Sequence, residues 1–201
     1  MAMILASQSP RRRELLGQMG FSFTVRPAKG EELPHPELTP AQLVEELARQ
    51  KALEVSAEAA SDDVVMAADT VVAIDGVVLG KPRDKAHAAE MLSALSGREH
   101  TVYTGVAVKR GETLLVEHEA TQVRFRPLTE REIDLYIQTG EPMDKAGSYG
   151  IQGYGALLVE GIRGDYFNVV GLPICRLGRM LAQVGEDALA QCAQKCAEKE
   201  R

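Results

Sequence analysis

Two hydrophobic periods alternate along the chain, and the switches between them mark out the elements. Met3 to Ala6 form a short apolar run, SQSP follows, and RRRELLGQMG then carries Leu15, Leu16 and Met19 at helical spacing; strand, loop and helix are predicted. Ser9 suits the N-cap, and Pro10 the first helical position, where a missing N–H costs nothing. Gly20 marks the stop, and alternating Phe21, Phe23 and Val25 predict a second strand in FSFTVRP. After the loop AKGEELPHPEL, a helix is expected over TPAQLVEELARQKALEVSAEAA, opened by Thr39, Pro40 and Gln42 as N-cap, first position and capping box.

VVMAADTVVAI is apolar except at Asp69 and Thr70, as a strand buried on both faces would be. Asp75-Gly76 turns it back into VVLG. DKAHAAEMLSALSG reads as a helix with Ala86, Ala89, Met91, Leu92 and Leu95 inward and Gly97 as its stop. HTVYTGVAVKR and TLLVEHEATQVRFRP read as two long antiparallel strands turning at Gly111-Glu112, and TEREIDLYIQTG as a helix boxed by Thr129 and Glu132. The glycines of residues 143–171 predict tight turns and close backbone approach to some other group. LPICRLGRMLAQVG closes a core over residues 1–185 as a helix, and 186–201 form a mixed-charge tail, helical or frayed. The order of elements predicts one mixed α/β domain over 1–201.

Composition narrows the function. A net charge of −6 over 201 residues argues against broad nucleic-acid binding, which needs a basic surface, while a small anionic ligand needs only a local knot of Lys and Arg. No apolar stretch approaches the length of a membrane span, and the charges of MAMILASQSPRRR follow a very short apolar segment, the reverse of a signal peptide. Cys175, Cys192 and Cys196 cannot all pair within one chain, and their spacing fits no zinc pattern. A soluble cytoplasmic protein with reduced thiols is the expectation.

Four segments carry candidate chemistry. In SQSPRRRELL, three arginines at a helix start lie beside free N–H groups and the positive end of the dipole, an arrangement suited to phosphate; a solvated basic helix start is the other reading. Asp69, inside an apolar strand, is costly unless it is paired, metal-bound or facing a cleft; a strand-end aspartate capping a turn, or a core aspartate satisfied by Thr70 or a lysine, are the alternatives. GVVLGKPRD lacks the spacing of a phosphate loop, yet Lys81 can reach a phosphate as a point charge. In MDKAGSYGIQGYG, Lys145, Tyr149 and Gln152 lie among glycines, and Gln152 offers both donor and acceptor to a base edge, unless the segment is a plain glycine-rich loop. The four histidines are scattered without metal-ligand spacing, and no GxSxG elbow is present.

ILASQSPRRRELL, AADTVV, LGKPRD, YTGV and DKAGSYGIQGYGALLVEGIRGDYFNVVGLP, in that order over nearly the whole chain, resemble the Maf family of nucleoside triphosphate pyrophosphatases. The resemblance implies a Maf/ITPase-like α/β fold, an elongated mixed sheet flanked by helices with two lobes around a cleft. It implies hydrolysis between the α- and β-phosphates with a divalent cation, Mg²⁺ or Mn²⁺, and a chain that is often dimeric. DKAGSYGIQG looks like the subgroup acting on dTTP and UTP rather than the one preferring 7-methyl-GTP. By resemblance, Asp69 is the proton acceptor for water and a metal ligand, and Glu32 a cleft carboxylate for metal. Arg11, Thr70 and Gln152 match substrate-selecting positions, and Ser7, Arg12, Arg13, Lys51 and Lys81 the phosphate-facing set, with Lys145 beside them. A nucleotide-binding regulator of cell division, after the family's septum-inhibition phenotype, and the same chemistry on a modified base are the alternatives.

Overall fold

The computed structural model describes residues 1–30, 35 and 37–199. Its architecture is organised by β3 (Val64–Ile74), whose apolar run is buried at both ends and half-buried only at Asp69 and Thr70. One edge of β3 pairs continuously with β5 (Glu99–Arg110), antiparallel from Val65 opposite Lys109 to Ala73 opposite Thr101. The other edge is divided. β1 (Met3–Leu5) runs parallel to Val64, Val65 and Met66, whereas β4 (Val77–Leu79) folds back antiparallel on Val72, Ala73 and Ile74. Asp75 and Gly76 both take positive φ, 52° and 79°, as a two-residue hairpin turn requires. On this edge no strand among the described residues pairs with residues 67–71, so the sheet has a notch there.

β2 (Thr24–Val25) lies parallel beyond β1, and β6 (Thr113–Phe125) and β7 (Val159–Arg163) continue the sheet beyond β5. The result is the mixed sheet flanked by helices that the sequence led us to expect. Its two faces are covered differently. On one, Val64, Met66 and Val106 pack under Leu15 and Leu16 of α1 (Pro10–Gln18) and Leu177 and Leu181 of α6 (Ile174–Gln183). Further along that face, Val72, Val102 and Val123 pack under Leu92 and Leu95 of α3 (Lys85–Leu95) and Ile133 of α4 (Glu130–Gln138). Thr70 and the buried Thr104 and Thr121 form a polar seam between these two apolar clusters. The opposite face carries α2 (Pro40–Ser56), with Ala48 and Ala52 against Val65, Ala67 and Ala107.

Both predicted capping boxes form, Thr39 with Gln42 and Thr129 with Glu132. Ser9 takes the N-cap position of α1, but its side chain makes no cap bond; instead its N–H donates to Ser7 Oγ at 3.2 Å. In α3 the expected inward stripe is found at Ala89, Met91, Leu92 and Leu95, but Ala88 is buried and Ala86 exposed, because the three alanines at the start of the helix look alike to a periodicity count. The strand expected over Phe21 to Val25 shrinks to two exposed residues, since Phe21 leaves the sheet to join the core below α1. Two elements hid among the glycines, β7 and α5 (Tyr166–Val170), both too short to show a period. The tail forms α7 (Ala188–Lys199).

Candidate active site

The notch in the sheet opens into a cavity of about 1220 Å³. Side chains on both faces of β3 reach it, Asp69 on the face of α2 and Thr70 on the face of α1, because successive residues of a strand point to opposite sides. Around them the cavity gathers Ser7, Arg11 and Arg12 from the start of α1, Lys51 from α2, Lys81 after β4, and Lys145 and Gln152 from the glycine-rich segment. Arg13 is exposed and lies outside the lining. Helix geometry is the reason: each residue turns about 100° from the last, so three consecutive arginines cannot share one face. Glu32 lies outside the described residues.

Asp69 owes its partner to a glycine. Its neighbour across the ladder is Gly105, and a Cβ there would run into the carbonyl of Val44. α2 therefore lies directly on the backbone of β5, and about two turns after Val44 it presents Lys51. Lys51 Nζ donates to Asp69 Oδ1 at 2.5 Å, with both side chains largely buried. Lys51 is the one donor to this carboxylate among the described residues, so Oδ2 is the oxygen turned to other uses.

Arg12 binds the notch together. Its guanidinium is buried and donates to Gly171 O at 2.7 Å, Ala68 O at 2.8 Å, Ser7 Oγ at 3.1 Å and Thr70 Oγ1 at 2.9 Å. Ala68 O belongs to the stretch of β3 left without a strand on the edge shared by β1 and β4, so the arginine supplies the donor that a neighbouring strand would have given there. These bonds also orient the hydroxyls. Thr104 Oγ1 donates its proton to Asn168 O at 3.0 Å, so in the 2.9 Å contact between the two threonines Thr70 is the donor. Thr70 thus faces a ligand as an acceptor or a methyl, not as a donor. Ser7 Oγ accepts from both Arg12 and Ser9 N–H, which leaves its own proton for the cavity.

The opposite wall is built around carboxylates. Asp144 accepts from Lys145 Nζ at 2.7 Å and from Arg11 at 3.3 Å, tying the start of α1 to the glycine-rich segment. Partial burial raises its carboxyl, but Lys145 and Arg11 outweigh that and hold it below the ordinary value. Lys145 Nζ also donates to the Glu141 carbonyl at 2.7 Å. Glu141 Oε1 accepts from Tyr136 O–H at 2.8 Å and Gly155 N–H at 3.0 Å, and Oε2 from Tyr154 N–H at 2.8 Å. Burial pushes this carboxyl up too, and the same three donors with Lys145 bring it below its usual value. The glycines are explained by this wall. A Cβ at Gly153 would collide with the Glu141 carboxylate, and one at Gly155 would meet Gly150 O at 2.5 Å and Tyr136 Oη at 2.8 Å. At these two positions the close approach expected from glycine density is to the protein's own atoms, side chain and backbone.

Behind this wall, Tyr149 Oη and the buried His100 Nε2 are 2.8 Å apart. Burial lowers His100 to about 4 and pushes the Tyr149 phenol well up, so a neutral imidazole meets a neutral phenol at pH 7. Sequence reading missed Glu141, Tyr136 and His100. Their partners are distant in sequence or are backbone N–H groups, and only the singled-out Tyr149 gave a signal.

For a cation, the donor chemistry is that of a shared site. Among the described residues no cluster of three or more His, Cys, Asp or Glu could enclose a metal. Asp69 brings a hard carboxylate oxygen donor to a cavity lined by Arg and Lys, which fits a divalent ion held by one or two carboxylates and completed by phosphate oxygens.

Residues 2–184 match the family model described as Maf-like protein. A dTTP/UTP pyrophosphatase of Symbiobacterium thermophilum is 55% identical over 184 residues, covering 91% of this chain and 94% of its own. Another of that name, from Moorella thermoacetica, is 55% identical over 188 residues, covering 92% and 96%. Among solved structures, a nucleoside-triphosphatase / dITP/XTP pyrophosphatase from Mycobacterium abscessus is similar over 92% of this chain and 94% of its own, at 18% identity and a TM-score of 0.44. No helix among the described residues is long and apolar enough to cross a membrane.

Proposed function

The chain belongs to the Maf family, and from that premise we propose that it hydrolyses dTTP and UTP to the nucleoside monophosphate and pyrophosphate. The observation that carries this reading is a carboxylate, Asp69, facing a cavity whose other charged groups include Arg11, Lys51, Lys81 and Lys145. The names of relatives half identical over nearly their full length supply the substrates.

Hydrolysis at the α-phosphate needs a water in line with the leaving pyrophosphate, a base for its proton, and cations to absorb the developing charge. In this reading Asp69 Oδ2 takes the proton while Lys51 holds Oδ1 and so fixes the carboxylate plane. Arg11, Lys81 and Lys145 meet the phosphates, with Ser7 O–H as a neutral donor. Arg12 acts through the Ala68 carbonyl just before Asp69 and through the Thr70 hydroxyl just after it. Gln152, exposed on the rim and with no side-chain hydrogen bond among the described residues, reads the base edge. A divalent cation, held by Asp69 with Glu32, would acidify the water and neutralise phosphate charge when bound.

The test is a turnover panel with Mg²⁺ or Mn²⁺ over dTTP, UTP, CTP, GTP, ATP and 7-methyl-GTP, quantifying pyrophosphate and orthophosphate. Pyrophosphate from dTTP and UTP is expected. Asp69→Asn, nearly isosteric but unable to act as base, is expected to lower turnover at least about a hundredfold. Nucleotide binding without turnover would overturn hydrolysis in favour of a regulator, and wild-type rates in the variant would remove Asp69 from the chemistry.

A further inference from the structure

We propose that Glu141 is the positioning residue for base selection, its carboxylate setting the shape of the loop that presents Gln152. The inference rests on the dTTP/UTP reading and extends it to a residue that reads no base itself. Gln152 sits at the crown of residues 150–155, beside Ile151, which packs against the core, and the side-chain bonds to the amides of that crown run to Glu141 or to the phenol that donates to it. On the leading side, Gly150 N–H donates to Tyr136 Oη at 3.1 Å, and Tyr136 O–H donates in turn to Glu141. On the trailing side, the N–H groups of Tyr154 and Gly155 donate to the two oxygens of the same carboxylate.

A single anion thus closes the loop, directly at its trailing end and through Tyr136 at its leading end. Charge-assisted bonds to backbone N–H are the stronger kind, and they are needed here because no strand or long helix supplies partners for these amides. The fit is tight as well, since Gly153 touches the carboxylate closely enough to exclude a Cβ. Gln152 has no anchor of its own, so its position follows the loop backbone. Asp69 is held from elsewhere, by Lys51 on α2 and by the ladder to β5. Loosening the Glu141 clamp should therefore degrade the choice of base while leaving the hydrolytic step in place.

Glu141→Gln keeps shape and volume but turns one acceptor into a donor facing an N–H or O–H. The ratio of kcat/KM for dTTP over CTP is expected to fall about tenfold, the equivalent of one well-placed hydrogen bond. The fall should come through KM, with kcat for dTTP within about threefold of wild type, a margin too small to signal lost transition-state contacts. Tyr136→Phe removes one donor to the clamp and the acceptor for Gly150, and should move the ratio in the same direction should Glu141→Gln fail to fold. Dissociation constants for the α,β-methylene analogues of dTTP and CTP, measured in parallel, give the same comparison without hydrolysis. Equal losses of kcat on all bases with an unchanged analogue ratio would overturn the proposal. A wild-type chain that binds the analogues but turns over no triphosphate would overturn the hydrolytic reading alone, the analogue ratio still deciding the role of Glu141.

Discussion

The two walls of the cavity solve the same problem with opposite chemistry. Where β3 runs past the end of β1, carbonyls lack a partner strand, and a buried cation, Arg12, supplies N–H donors to Ala68 O and Gly171 O. Where the glycine-rich segment crosses the cavity, amides lack partners, and an anion, Glu141, accepts from Tyr154 and Gly155. Each hub is a charge because one ion can satisfy several backbone groups whose directions no regular element would match. They differ in what depends on them. Arg12 joins α1, β3 and the end of α5 at the polar seam between the two apolar clusters, so it is part of the fold, whereas Glu141 organises a half-exposed loop that few other elements rest on.

The sharpest way to break this comparison is Arg12→Ala. It strands buried acceptors on three elements, and a loss of about 3 to 5 kcal/mol is expected in denaturant unfolding. Arg12→Lys should recover little, since one ammonium cannot reach four acceptors spread over that span. A loss below about 1 kcal/mol, the ordinary range of a single neutral hydrogen bond, would show that the wall does not depend on its arginine.

Acid should loosen the second wall first. His100 has a folded value near 4 against an ordinary 6.5. The unfolded chain therefore takes up the proton first, and the stability fully present above about pH 6.5 declines as pH falls toward 4. The whole window is worth on the order of 3 kcal/mol at about 1.4 kcal/mol per pH unit. Glu141 and Asp144, both held below the ordinary carboxyl value, add a loss in the same direction at still lower pH. Unfolding curves across this range should be flatter for His100→Gln, and an unchanged slope would take His100 out of the account.

Gln152→Ala sharpens the contrast from the other end. As an exposed side chain with no hydrogen bond of its own among the described residues, it should change stability by no more than about 0.5 kcal/mol. Its effect should be on base preference rather than on maximal rate, and an equal loss on every base would remove it as the reader.

What the sequence by itself determined was whatever short-range physics writes into consecutive residues. The capping boxes at Thr39 and Thr129, the Asp75-Gly76 turn, the long apolar run of β3 and the paired strands β5 and β6 all follow from spacing and local hydrogen bonding, and all are found. Asp69 stood out for the same reason, a charge where its neighbours permit none, and in the structure Lys51 pairs with it. Tertiary structure decided the rest. The notch exists only because β1 and β4 share one edge of β3 without meeting, a matter of strand lengths and register that no local pattern records. Consecutive arginines looked alike in the sequence, but helical rotation set Arg11 half-buried on the cavity, Arg12 buried in its wall and Arg13 in solvent. Glycine density announced close contact without naming the partner, because the partner, Glu141, lies ten or more residues away and binds backbone amides, which every sequence possesses and none displays.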